Sequence, residues 1–399
     1  MRRRTLLSCI MAVTAGACTD PPLAVRAVAV GSAADAKAVH FWDSNAPVYW
    51  NGVSRQLVAV NRFNALQAIR GYALVNVAQY NAAIAAEEGK EKGDHPSVHA
   101  AISAASVVAL SYLHPADAAA LEVRLDEYLQ AEGWPGERHA DRESGEAIGR
   151  AIAAQVVTRA QGDRFFAPWT GTVPTGPGKW VSIGAPVGPT IGQAKTYFLT
   201  SGAQFRPAPP PAFGSPAFNA ALAVVRHISD TRTPEQTAIA VFWNWPAGTY
   251  QPPGYWNELA STMAVERRLG ERETAHTMAL MHMVGYDAIV ASHEAKFFYW
   301  LIRPSQADPG IVLPIGLPNF PSYPSNHAAV SGGMARVLAD RFPSDGDRLD
   351  ALADEAALSR IYGGIHYPFD GEAGLALGRT VAAWALAHDV HGHDPFVLP

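Results

Sequence analysis

Cysteine is almost absent from this chain: of 399 residues only Cys9 and Cys18 carry a thiol, and both lie in the first 20. A disulfide framework is therefore excluded for everything beyond that start. Basic stripes are missing too. The net charge is −5 and charged residues make up 17% of the chain, which disfavours nucleic acid as a partner. After the N-terminal run, no stretch reaches 18 uncharged apolar residues, so a bundle of membrane-spanning helices is not encoded. Strand-like alternation is nearly absent, which leaves an all-α fold class. What remains is 48% hydrophobic and long enough for two ordinary domains or one large one, with ample material for a core.

The chain starts Met1-Arg2-Arg3-Arg4 and runs apolar from Leu6 to Ala17. Charge, length and a small-residue end make residues 1–18 a signal peptide. Ala15-Gly16-Ala17-Cys18 fits two processing routes. One is a lipobox that leaves Cys18 as a lipid-anchored first residue; the other is simple A-x-A cleavage. Both place the protein outside the cytoplasm, in the periplasm or on the outer surface. No residue pattern sets the oligomeric state.

Helical periodicity covers Asn64–Ala86, His99–Tyr112, Ala116–Glu132 and Glu143–Arg159. From Gly162 to Ala217 proline and glycine dominate, with Pro209-Pro210-Pro211 at the extreme, which predicts irregular extended chain. Its aromatic residues, among them Phe165, Trp180 and Phe205, argue for a packed strap and against a disordered linker. Helical pattern resumes at Pro216–Ser229, Thr233–Trp243, Asn257–Leu269 and Arg272–Leu301, then at His327–Arg341, Asp347–Ser359 and Gly371–His388.

The sequence also repeats itself. The Ala73–Lys90 block, with Tyr80-x-Ala82, matches Ala279–Lys296, with Tyr286-x-Ala288, at an offset of 206. Pro96-Ser97-Val98-His99 matches Pro324-Ser325-Asn326-His327 at 228, and Asp141–Arg150 matches Asp370–Arg379 at 229. About 22 extra residues therefore lie between the first two blocks of the later copy, around Arg303-Pro304 and a Pro-rich loop. The expectation is an internal duplication giving two pseudo-symmetric helical bundles. Their predicted spans are 40–160 and 218–390, joined by the strap at 161–217. The first copy has lost chemistry, because Arg360 maps to Ala131 and His366 to Glu137. His99 is a relic with a structural role or none.

Three patterns in the second copy carry chemistry. They are Lys296-x6-Arg303-Pro304, Pro324-Ser325-Asn326-His327 and Ser359-Arg360-x3-Gly364-x-His366-x3-Asp370. Guanidinium forks bind phosphate-like oxygens two at a time, and Lys296 adds a point charge to Arg303 and Arg360. A hydroxyl and backbone N–H groups at a helix start complete an oxyanion cradle. The histidines supply a nucleophile or metal ligand and an acid–base group. Plainer readings exist for each: Ser325 as an ordinary N-cap, Lys296 as a snorkelling helix end, His366 as a buried turn histidine.

In order and internal spacing these blocks resemble the signature shared by vanadium-dependent haloperoxidases and the type 2 phosphatidic acid phosphatases. Gln204–Pro207, Arg232–Trp243 and Pro252–Asn257 resemble the region before the site in bacterial haloperoxidase-like proteins, so the likeness spans roughly residues 40–390. The resemblance implies a vanadate cofactor, with His366 as the metal ligand and Lys296, Arg303, Ser325, Asn326 and Arg360 binding its oxygens. Phosphate fits the same cage. It makes Asp370 the holder of the second His366 ring nitrogen and His327 the acid–base group. Two activities follow: oxidation of halide by hydrogen peroxide to a hypohalous acid, or acid phosphatase action on a phosphomonoester through a phosphohistidine at His366. A non-catalytic anion-binding lipoprotein is the third reading. Two positions depart from the family's pattern. Asn326 stands where glycine is usual, and asparagine tolerates positive φ next best. His293 stands where haloperoxidases usually carry tryptophan. Phe320, seven residues before His327, matches chloroperoxidases and several bacterial relatives, and equally suits a core.

Overall fold

The structure, a computed structural model, describes residues 45–91, 94–131, 138–389 and Phe396. The expected leader, with Cys9 and Cys18, lies outside the described residues, as does Glu137. Five helices come first: α1 (Ala46–Val60), α2 (Ala65–Glu91), α3 (Val98–Leu113), α4 (Ala118–Ala131) and α5 (His139–Gln161). After the strap come α6 (Pro216–Thr231), α7 (Pro234–Phe242), α8 (Gln251–Glu266), α9 (Glu271–Tyr299) and the short α10 (Pro304–Ala307). The last three are α11 (Asn326–Arg341), α12 (Gly346–Tyr362) and α13 (Pro368–Ala387). Among the described residues the structure is all-α, with only isolated bridges such as Lys179–Leu301. No described helix is long and apolar enough to cross a membrane.

α2 and α9 form the centre. α9 is buried almost without a break from Thr274 to Lys296, so no polar face faces water. A helix buried on all sides must be surrounded, and here the surrounding helices come from both halves of the chain. One core cluster joins Trp50, Tyr80 and Leu110 of the first half to Met281, Val337 and Val381 of the second. The bundles expected at 40–160 and 218–390 therefore share one continuous core.

Local geometry recurs at the repeat offsets. Ser97 caps α3 at φ −69°, ψ 118° by accepting from the Ala100 N–H; Ser325 caps α11 at φ −74°, ψ 124° by accepting from the Ala328 N–H. The Ser97 N–H donates to the Asp141 carbonyl at 2.8 Å, and the Ser325 N–H to the Asp370 carbonyl at 2.9 Å. A Cβ on Gly149 would sit 2.1 Å from the Ala101 carbonyl oxygen, and one on Gly378 1.9 Å from that of Ala329. Only glycine permits these two helix crossings. α1 and α8 leave through Arg62 and Arg268, at φ 54° and 53°.

α1 has no counterpart among the predicted helices, and α8 begins at Gln251 rather than Asn257. Both start with proline in the first turn (Pro47; Pro252-Pro253), where a missing N–H costs no hydrogen bond. The two helices share Pro47-x-Tyr49-Trp50-Asn51 and Pro253-x-Tyr255-Trp256-Asn257, a further block at offset 206.

The strap is pinned to α9. The Asp287 carboxylate accepts from the N–H groups of Tyr197, Phe198 and Leu199 at 2.8, 2.8 and 3.2 Å. Arg206 pairs with Glu294 by donating from Nε and Nη2 to its two carboxylate oxygens. Trp180 N–H donates to the Trp300 carbonyl at 2.8 Å, so the strap also lies beside the chain leading to Arg303.

Candidate active site

His366 lies in the turn between α12 and α13. Gly364, at φ 73°, makes the turn possible in a place where a Cβ would come 2.9 Å from Leu313. Pro368 opens α13, and Asp370 closes its first turn by accepting from the Tyr367 N–H at 3.1 Å. The same carboxylate oxygen accepts from His366 Nδ1 at 2.7 Å and from the Ser322 hydroxyl at 2.5 Å. An oxygen already accepting twice requires a donor from His366, so Nδ1 carries the proton and Nε2 the lone pair. Burial, then Arg303 and Lys296, push the His366 pKa well down, so the ring is neutral. Burial pushes the Asp370 carboxyl up to about 6.

Arg303 meets that lone pair. α9 ends at Trp300 in the left-handed conformation, φ 57°, and Pro304 starts α10. Between them Arg303 is fully buried. Its Nη1 donates to His366 Nε2 at 3.0 Å and to the Ile365 carbonyl at 2.8 Å; its Nε donates to the Phe320 carbonyl at 3.0 Å. Its Nη2 is buried and has no hydrogen-bond partner among the described residues. Burial lowers the guanidinium to about 10.

Lys296 lies in the last turn of α9 and is also fully buried. Its ammonium donates to the carbonyls of Pro321, Ser322 and Pro324 at 2.9, 2.7 and 2.5 Å. All three donors thus hold the loop that carries Ser325, and the charge acts on the site through space. Arg360 donates through Nε to Ser359 Oγ at 2.9 Å and through Nη2 to the Ala240 carbonyl at 2.8 Å. Burial brings it down to about 9. His327 donates Nε2–H to the Trp243 carbonyl at 2.9 Å, which leaves the lone pair on Nδ1. Burial and Arg360 push its pKa well down. The carbonyl end of α7 therefore orients both Arg360 and His327.

Ser325 spends its side chain on the α11 cap, so the Asn326 and His327 N–H groups remain as the free donors of the helix start. Asn326 is the first residue of α11 and is not at positive φ. The tolerance of asparagine for that conformation therefore plays no part. Its amide faces His293, with Nδ2 3.1 Å from His293 Nε2. The two departures from the family's pattern touch one another.

Sequence reading missed several contributors. Ser322, in a Pro-rich loop, has no periodic signal. The Ala65, Leu66 and Ile69 wall comes from the half without site residues. The three wall residues line a cavity of about 90 Å3 with Phe320, Asn326, His327, Ile365 and His366, and the lining is mainly apolar. Phe320 also faces both cations, 5.1 Å from Lys296 Nζ and 5.1 Å from Arg303 Cζ.

Lys296, Arg303 and Arg360 are all buried, and Asp370 is the carboxylate that acts on Lys296 and Arg303, so positive groups outnumber negative ones at the site even though burial pushes the Lys296 pKa well down. Burying uncompensated charge is costly. An anion beside His366 Nε2 would offset that excess and give Arg303 Nη2 its missing acceptor. The donors are all hard N–H groups around one imidazole lone pair, so a tetrahedral oxyanion such as vanadate or phosphate fits them.

Residues 275–390 match the PAP2 superfamily. A decaprenylphosphoryl-5-phosphoribose phosphatase of Mycobacterium tuberculosis is 39% identical over 103 residues, covering 25% of this chain and 56% of that protein. A vanadium-dependent bromoperoxidase of Ascophyllum nodosum is 34% identical over 104 residues, covering 19% of this chain and 19% of that protein. The chain thus spans about half the length of the first relative and a fifth of the second. A bacterial vanadium-dependent iodoperoxidase superposes with TM-score 0.72 at 23% identity, over 85% of this chain and 94% of its own. A holo-type bacterial vanadium-dependent chloroperoxidase gives TM-score 0.66 at 14% identity, over 85% and 96%. These two likenesses show the fold.

Proposed function

With residues 275–390 a PAP2-superfamily domain in the all-α haloperoxidase fold, we propose that this chain is a vanadate-dependent haloperoxidase. The reading rests above all on the hydrogen bonding of His327. A phosphatase needs a proton on this group at the outset, to give to the leaving alcohol. A peroxidase needs a neutral ring, to take a proton from peroxide. The His327 Nε2–H is committed to the Trp243 carbonyl, which leaves the Nδ1 lone pair as a base, and burial and Arg360 push the pKa of the ring well down.

In this reading His366 Nε2 would hold the vanadate once Arg303 Nη1 releases the lone pair it meets at 3.0 Å, with Asp370 fixing the tautomer through Nδ1–H. Arg303 Nη2, Arg360 and the N–H groups at the α11 start hold its oxygens. Bound vanadate supplies a Lewis-acidic centre that stays in its +5 state. His327 Nδ1 takes the proton of the incoming peroxide. The apolar wall of Leu66, Ile69 and Phe320 excludes water and suits a weakly hydrated halide.

The phosphatase reading draws support from the 39% identity to the mycobacterial phosphatase. In it His366 attacks phosphorus and water resolves the phosphoenzyme. Parallel assays on the purified protein separate the two. Halogenation of a phenolic dye by peroxide with chloride, bromide or iodide is followed with and without orthovanadate, beside hydrolysis of an aryl phosphate. Vanadate-dependent halogenation is the expected result. Vanadate-inhibited hydrolysis without halogenation would move the protein to the phosphatase branch. Oxyanion binding with neither activity would leave the anion-binding reading.

A further inference from the structure

His293 Nδ1 lies 3.0 Å from the Gly188 carbonyl oxygen, a group that can only accept. Nδ1 therefore carries the proton and Nε2 the lone pair. The atom of Asn326 facing Nε2 at 3.1 Å must then be the amide nitrogen, as a donor. That leaves Asn326 Oδ1 facing Ser292 Oγ at 2.6 Å, so the serine donates. One backbone carbonyl thus fixes the whole run, Ser292 to Asn326 to His293 to Gly188. Ser292 and His293 are fully buried. Gly188 sits at φ 68°, and a Cβ there would come 2.9 Å from the His293 ring, so the strap meets the ring as closely as backbone allows.

An amide nitrogen has two hydrogens, and only one faces His293. The second has no protein acceptor among the described residues, and Asn326 lines the same cavity as His327 and His366. We propose that the second Asn326 Nδ2–H is an additional donor to the anion beside His366, with Ser292 and His293 as positioning residues that hold the amide and tie it to the strap. The proposal rests on the oxyanion reading of the site and adds to it. Asparagine in place of glycine here is a gain of one donor, and His293 is its support.

The test is calorimetric titration of the full chain with inorganic phosphate, beside thermal unfolding of each variant. Asn326→Gly should weaken phosphate binding about tenfold, although it installs the family's usual residue. His293→Leu should weaken it similarly, and the double variant should be no worse than either single one. Glutamine spaces its amide O and N much as the imidazole spaces its two nitrogens. His293→Gln should therefore restore binding to within about twofold, a rescue expected of a hydrogen-bonding support and not of a space-filler. Arg303→Ala is the control for the oxyanion reading. If it alone loses phosphate while His293→Leu and Asn326→Gly bind like the wild type, the positioning role is wrong and the oxyanion site stands. If Arg303→Ala also binds like the wild type, the site reading itself fails. Tighter binding by Asn326→Gly, or no rescue by a stably folded His293→Gln, would equally overturn the inference.

Discussion

The two halves of this protein share caps, glycine crossings and helix exits, yet only one gathers buried cations around a pair of histidines. Ser97 and Ser325 cap their helices in the same way, and Asp141 and Asp370 offer carbonyls to them at the same distance within 0.1 Å. The side chains diverge. Lys90 is exposed where Lys296 is fully buried. Asp141 pairs with an exposed Arg138, whereas Asp370 holds His366 in the interior. His99 Nδ1 donates to the Glu271 carboxylate at 2.6 Å, whereas His327 meets a carbonyl at the end of α7. Arg303 has no counterpart, since it lies in the 22 residues by which the offset grows from 206 to 228. We propose that both halves descend from one duplicated unit. The frame is then set by backbone caps and close crossings, and the chemistry by which charges an insertion and a turn bring inside.

The largest expected contrast is at the histidines. His366→Ala should remove both turnover and oxyanion binding. His99→Ala should cost stability, about 1–3 kcal/mol for a buried hydrogen bond, and leave turnover per folded molecule unchanged. Steady-state rates beside melting temperatures check this, and equal loss of activity in both would break the comparison. Next come the aspartates. In Asp370→Asn an amide N–H₂ can face His366 Nδ1, which moves the ring proton to Nε2 and hides the lone pair. kcat/KM should fall about 10²–10⁴-fold. Asp141→Asn should leave it unchanged. Burial places the Asp370 carboxyl at about 6, so the wild-type kcat/KM should decline below that pH as the carboxylate is protonated. A pH profile without that limb would remove Asp370 from the role of tautomer holder.

Acid sharpens the contrast further. His293, His327 and His366 all have pKa values pushed down by burial, His293 to about 3. In the unfolded chain they would bind protons near the ordinary 6.5. Their contribution to stability is thus complete above pH 6.5 and is lost as the pH falls toward the folded values, by about 1.4 kcal/mol per pH unit for each histidine. In the first half, His114 carries the same kind of shift, to about 4. Hydrogen exchange at pH 5 should therefore open α11 and the turn at His366 before α3. The reverse order would show that the buried site is not the acid-labile part.

Most of the fold was legible because its signals are local. Long helical periodicities and proline or glycine punctuation gave eleven helix spans, and aromatic residues marked the strap as packed. α1 escaped because its apolar pattern begins behind a proline and lacks an acidic first turn. At the site, charged and imidazole groups stood out by type and spacing. Their supports did not. Ser322 and Gly188 are common residues in loops, and the α7 carbonyls belong to backbone that any sequence would supply. The apolar wall is contributed by Leu66 and Ile69, which lie some 260 to 300 residues from the histidines they face and look like any core positions.

The smallest predicted effect isolates frame from chemistry most cleanly. Ser97 and Ser325 do the same structural work, so replacing either by alanine should cost about 1 kcal/mol through loss of an N-cap. The two variants should melt at similar temperatures. They should differ in function, because only the α11 start adjoins His366. Without its cap the first turn of α11 frays, and the Asn326 and His327 N–H groups lose their common direction. Ser325→Ala should therefore weaken phosphate binding severalfold while Ser97→Ala leaves it intact. If both variants bind phosphate like the wild type, the α11 start is a scaffold only, and the oxyanion is held by Arg303, Arg360 and His366 without it.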